Sequence, residues 1–270
     1  MLASFTDSAP TLTLALAKND AVSIVANTNT YTLNLTSAGS TWSGTDDSNV
    51  SGNGTATLTV QDSAFNQVNL TDTGAGTSVT FNDSGSNSYA SSFNLALTNS
   101  AAGSIAFNGA TSFTGSNALS ASTSDFIVAN SGSSITTDSG GITLSANQQV
   151  TPTSGTFIGI DINNATVQST TGAVTLTGTG GNTGSNNYGV EIQGGGKVQA
   201  TGTSPALLSI TGSAGDSTSA GITCAVAAGA PLEAAAAFGN LVASITVQQL
   251  GTTGTATPAQ ARARWRQVSA

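Results

Sequence analysis

One short theme is written three times between Gly159 and Thr246, and it constrains the fold more than any other feature. The first copy runs Gly159-Ile160-Asp161-Ile162, Ala165-Thr166-Val167-Gln168 and Ala173-Val174-Thr175-Leu176-Thr177-Gly178. The second runs Gly189-Val190-Glu191-Ile192, Lys197-Val198-Gln199-Ala200 and Leu208-Ser209-Ile210-Thr211-Gly212. A third begins at Gly221-Ile222-Thr223-Cys224 and continues to Ala243-Ser244-Ile245-Thr246, with the opening glycines 30 and then 32 residues apart. Self-similarity at this period marks an array in which each unit buries its apolar face only against its neighbours.

Every piece of the theme places apolar residues at alternate positions. Ile160 with Ile162, and Val190 with Ile192, therefore share one face of a strand, which leaves Asp161 and Glu191 on the other. If successive copies stack in register, each strand pairs in parallel with its counterpart one copy later, and three walls enclose an apolar column. The expected fold is all-β, a parallel β-helix (β-solenoid) with about 30 residues and three strands per coil in the C-terminal half. Residues 1–250 are expected to form one such domain, clearest over 157–250, and 251–270 a loose tail.

The earlier chain has the same period-two texture in shorter pieces. Leu12, Leu14 and Leu16 alternate with polar or small residues, as do Val22 with Ile24 and Tyr31 with Leu33 and Leu35. Further strand signals fall at 55–60, 67–71, 78–81, 92–98, 104–107, 111–113, 118–120, 125–128, 133–137 and 142–147, between clusters of Gly, Asn, Asp and Ser. Residues 225–238 read equally as a short helix from Pro231 to Gly239 or as a strand of the third copy. Cys224, the lone cysteine, reads as a small core residue. Trp42 reads as a cap on the first coils or as a surface ligand contact, and Tyr188 as packing over a turn or as a sugar-stacking ring. No apolar run long enough to span a bilayer is visible, and the first residues lack the charged and apolar regions of a signal peptide.

Composition narrows the chemistry. Only 7% of the residues are charged, against about 25% in ordinary globular chains, so 37 Ser and 43 Thr must supply solubility. Acidic residues outnumber basic ones 13 to 5, and Arg262, Arg264 and Arg266 sit in the final stretch. That balance repels phosphate backbones and anionic lipids, which argues against nucleic-acid partners and membrane insertion. The absence of histidine removes imidazole bases and makes zinc a poor candidate. Two weaker constellations remain. Asp47, Asn49 and Ser51 at alternate positions imitate the start of a calcium loop, although the position of its later acid is Leu58 and a polar turn explains them better. Asp161 and Glu191, stacked on one outer face, are a carboxylate pair available to a carbohydrate-cleaving enzyme, with plain solvation as the simpler explanation. No cofactor is indicated.

The phrases Val174-Thr175-Leu176-Thr177-Gly178-Thr179-Gly180-Gly181, Asn186-Asn187-Tyr188-Gly189-Val190 and Gly141-Ile142-Thr143-Leu144-Ser145-Ala146-Asn147 resemble the bacterial surface proteins of the filamentous haemagglutinin and autotransporter-passenger type. The resemblance spans roughly residues 90–250. It implies a right-handed β-helix, an extracellular or cell-surface location, and a non-catalytic structural or adhesive role. It also implies contacts with carbohydrate, cell-surface molecules or neighbouring segments of the same exoprotein, and reads this chain as a fragment of a longer one. The alternative is a polysaccharide lyase or hydrolase using Asp161 and Glu191.

Overall fold

A computed structural model describes residues 2–98, 103–202 and 207–215. They belong to a compact unit running from Met1 to Ile222; the second unit, Thr223–Ala270, lies outside the described residues. The third copy of the theme, Cys224, the segment 225–238 and the tail likewise lie outside the described residues.

Strands form where alternation and β-branched residues coincide, because Thr, Val and Ile restrict χ1 and pack well on a pleated surface. They assemble into two nine-stranded sheets and one four-stranded sheet. In the first sheet the order is 208–213, 174–179, 142–146, 119–123, 92–97, 67–72, 11–16, 3–8 and 42–43. In the second it is 190–193, 160–163, 126–129, 104–107, 78–81, 21–26, 30–35, 57–61 and 50–51. The third comprises 110–113, 134–137, 166–169 and 197–200.

Register is continuous through the parallel stretches. Leu14 lies opposite Leu70, and the column continues through Leu95, Ala121, Leu144 and Leu176 to Ile210. The second sheet lines up Ile24, Phe81, Phe107, Ala129, Ile162 and Ile192. The third lines up Thr111, Ile135, Val167 and Val198. From Leu14 to Leu176 the members of the first column are fully buried, and burying a side chain of this size stabilises by about 1.5–3 kcal/mol. The chain advances by 26 residues from Phe93 to Leu119, 23 to Ile142, 32 to Val174 and 34 to Leu208 without losing register. The additional residues are taken up between strands, as in the segment 147–159.

Where the third sheet begins, at Ala110, six aromatic rings fill the interior. Phe81 stacks on Phe107 at 5.0 Å and Tyr89 on Phe113 at 5.2 Å, while Tyr31 and Phe93 meet them edge to face. Such pairs contribute beyond their buried area. Outside, amides run along the stack: Asn130 donates to Asn108 at 2.6 Å, Asn108 to Asn82 at 2.9 Å, and Asn82 to Ser23 at 2.7 Å.

The uniform right-handed parallel β-helix expected over residues 1–250 is corrected by these pairings. The sheets are mixed. Strand 11–16 pairs antiparallel with 3–8, 21–26 with 30–35, 30–35 with 57–61, and 50–51 with 57–61. The cause of the misreading is physical: alternation records which side chains are buried and is the same for both neighbour directions. Trp42 is resolved as a core residue, fully buried with its indole Nε1–H donating to the Leu33 carbonyl at 3.1 Å. Among the described residues the only helical element is the 3₁₀ turn Asp62–Ala64, and no helix is long and apolar enough to cross a membrane.

Two glycines sit where the backbone of strand 174–179 passes close to the residue before strand 190–193. A Cβ on Gly178 would lie 2.1 Å from the Gly189 carbonyl oxygen, and one on Gly189 would lie 2.4 Å from that of Gly178. Gly178→Val is expected to destabilise more than Leu176→Ala, itself placed at about 2–5 kcal/mol by the loss of buried methyl groups. Urea unfolding followed by far-ultraviolet circular dichroism measures both, and equal stability of Gly178→Val and the parent would refute the close approach.

Candidate functional sites

Asp161 and Glu191 lie directly opposite one another on the paired strands 160–163 and 190–193, and both are half-buried. Their neighbours Ile160 and Ile162 are fully buried, so the backbone alternation that fills the core also fixes the acids on the outer face. Gln193 donates from Nε2 to both Asp161 oxygens, at 3.0 and 3.1 Å. Partial burial and the nearby Asp161 charge, in that order, raise the Glu191 carboxyl above its ordinary range. On the third sheet Gln199 donates to Gln168 at 2.5 Å, and Lys197 is exposed opposite Thr166. The second sheet thus offers two carboxylates and an amide, and the third sheet two amides and one ammonium.

The calcium-like spacing forms a turn. Asp47 Oδ1 accepts from the amides of Asn49 at 2.7 Å and Val50 at 2.9 Å, and these hydrogen bonds lower its carboxyl. Asn49 donates to Asp7 at 3.3 Å, and Ser51 is exposed on a two-residue strand. Among the described residues no three or more His, Cys, Asp or Glu side chains group as a metal site. Tyr188 is half-buried, and its hydroxyl donates to Asn186 at 3.5 Å.

A second polar centre, near the aromatic cluster, escaped the sequence reading. Asp83 is buried and accepts from the Ala26 amide at 2.7 Å, the Tyr89 hydroxyl at 2.9 Å and the Thr111 hydroxyl at 2.8 Å. Asp62 is also buried; Oδ2 accepts from the Ala90 amide at 2.8 Å, and Ser91 Oγ lies 3.4 Å from Oδ1. Burial raises both carboxyls, and it raises the Tyr31 and Tyr89 hydroxyls as well. The available signal was positional. Val79 and Phe81 are followed two residues later by Asp83, and Leu58 and Val60 by Asp62, so both acids continue inward-facing columns. Beside Asp62 opens a recess of about 300 Å³, bordered by the turn Asn27-Thr28-Asn29 and by Asn87 and Ser88.

A family model described as pfkB family carbohydrate kinase matches residues 161–260, a little over a third of the chain. No curated protein matches, and neither does any solved structure. The match begins at Asp161 and includes Glu191; from residue 216 onward it lies outside the described residues. It corrects the resemblance to filamentous haemagglutinin and autotransporter surface proteins, together with the handed β-helix, the adhesin and surface-protein character and the non-catalytic role drawn from it, because the matched family is one of kinases. The polysaccharide lyase or hydrolase alternative is set aside on the same ground. The extracellular location rested on that resemblance alone.

Asp83 sets a stability prediction. Asp83→Ala orphans two buried hydroxyls and one amide, and since each buried unsatisfied group costs about 1–3 kcal/mol, a loss of about 3 kcal/mol or more is expected in urea unfolding. The pH dependence follows from Asp62, Asp83, Asp125 and Glu191, all raised first of all by burial. A raised folded-state pKa contributes stability that is present below the unfolded value and lost as pH rises through the folded one. The thermal midpoint is therefore expected to fall between about pH 4, the ordinary carboxylate range, and neutrality. Asp83→Asn, which keeps the shape, should flatten that slope; an unchanged slope would remove Asp83 from the account.

Proposed function

We propose that the chain acts on carbohydrate as a phosphoryl-transfer enzyme. The observation that carries this reading is the carbohydrate-kinase family match over residues 161–260. In such a reaction a sugar hydroxyl attacks the terminal phosphorus of a nucleoside triphosphate. The O–P bond to the sugar forms, the bond to the diphosphate leaving group breaks, and the hydroxyl proton passes to a base. Within the described part of the matched stretch, Asp161 and Glu191 are the carboxylates placed to accept that proton, with Gln193 orienting Asp161. Glu191, raised by burial and by Asp161, exchanges its proton closer to neutral pH than an ordinary glutamate would. Lys197, exposed on the next strand after Glu191 and in the third sheet, is the cation in this part of the chain that can meet a phosphate. A nucleoside triphosphate donor also favours a location where such nucleotides are held, inside a cell.

The full chain, with ATP and magnesium, is expected to release ADP only when a neutral sugar from a hexose and pentose panel is present. Asp161→Asn combined with Glu191→Gln is expected to lower that sugar-dependent rate about 100-fold or more, the scale of a lost general base. Absence of sugar-dependent ADP release across the panel, or a double variant as fast as the parent, would overturn the reading.

A further inference from the structure

The recess beside Asp62 lies outside the stretch matched to the kinase family and takes no part in the Asp161–Glu191 face. We infer that this recess is a binding site for a small neutral polyhydroxylated molecule, a monosaccharide or related polyol, held by Asp62 and the amides of Asn27 and Asn87. The inference stands independently of the kinase reading.

Its walls are built by three separate parts of the chain. The turn Asn27-Thr28-Asn29 joins strands 21–26 and 30–35, with Asn29 at φ +63° and the Asn27 amide donating to Thr30 at 2.8 Å. The 3₁₀ turn supplies Asp62, whose own amide donates to the Asn29 carbonyl at 3.1 Å. The segment before Tyr89 supplies Asn87 and Ser88, and Asn87 is tied back by Nδ2 to the Ala26 carbonyl and by Oδ1 to the Thr28 hydroxyl, both at 3.4 Å. These last two contacts are long, so the Asn87 amide can exchange them for stronger partners at little cost.

The side-chain chemistry selects the ligand. Carboxamides and hydroxyls both donate and accept, which suits a molecule whose hydroxyls do the same, while the single carboxylate can take two hydroxyl donors. Asp62 is well placed for this. The hydroxyl facing its Oδ1 is 3.4 Å away and also serves two carbonyls, those of Asp62 and Phe65 at 3.1 and 2.8 Å. The Asp83 carboxylate, by contrast, is fully engaged and structural. No cation lines the recess, and an anionic ligand would meet Asp62 unopposed. Sugar phosphates and sugar acids are therefore disfavoured. The volume, about 300 Å³, is at the small end for ligand sites and fits one ring rather than a chain.

The test uses the full chain without nucleotide. Glucose, mannose, galactose, xylose and glycerol are titrated by calorimetry and by nuclear magnetic resonance line broadening of the ligand. Saturable binding of at least one of them, at about millimolar affinity, is expected, and glucose 6-phosphate should bind at least tenfold more weakly than glucose or not at all. Asn87→Ala, at a half-exposed turn position, should weaken binding about tenfold with the thermal midpoint unchanged, and Asp62→Asn should weaken it further. Asp161→Asn with Glu191→Gln should leave it intact, which separates this site from the proposed catalytic face. No saturable binding by any of the five ligands, equal binding of the phosphorylated sugar, or unaltered affinity in Asn87→Ala would each overturn the inference.

Discussion

The in-register pairing of strands is the constraint on which the rest of this structure depends. Once Leu14, Leu70, Leu95, Ala121, Leu144 and Leu176 are fixed opposite one another, alternation decides every other side chain on those strands. A slip of one residue would turn the whole apolar set outward and the Thr and Ser residues inward. Backbone hydrogen bonds supply the regular spacing, and burial of the columns makes one register far better than its neighbours. Polar ladders such as Asn82, Asn108 and Asn130 reinforce the same register from outside.

The aromatic cluster and the buried acids occur together for a reason. At residues 81–113 the third sheet begins, and aromatic rings take the interior that Leu and Ile fill elsewhere. Tyr and Phe fill that volume, but a buried phenol requires a partner, and Asp83 meets Tyr89 there. Asp83 in turn binds the Ala26 amide and Thr111, so one carboxylate joins three segments far apart in sequence. The cost is a charge in poor solvent, visible as the upward displacement of its pKa. Asp62 belongs to the same environment, is held by the Ala90 amide, and also borders the recess.

Strand positions and inward faces were legible in the sequence because period-two alternation is a direct record of burial. Asp161 opposite Glu191 was legible for the same reason, since the repeat carries register with it. Strand direction was not: 21–26 and 30–35 alternate like their parallel neighbours, and nothing in Val22, Ile24, Leu33 or Leu35 distinguishes the antiparallel pair. Asp62 and Asp83 were passed over because acids beside Asn and Ser read as turn residues, whereas counting two from Val60 and from Phe81 places them inside. The resemblance of the glycine- and threonine-rich phrases to surface proteins was a likeness of texture. Low charge and stacked strands generate that texture in any chain with these walls, and the kinase-family match over 161–260 points elsewhere.

The unequal steps between counterpart strands have a consequence for how such a chain changes. From strand 92–97 onward, between 23 and 34 residues separate successive members of the first sheet, yet the pairing holds. The paired strands keep one register, and the segments between them take lengths that the pairing does not dictate. Lengthening a connection costs little loop entropy, so new chemistry can be added at the corners, as at 27–29 and 86–90, without renegotiating the core.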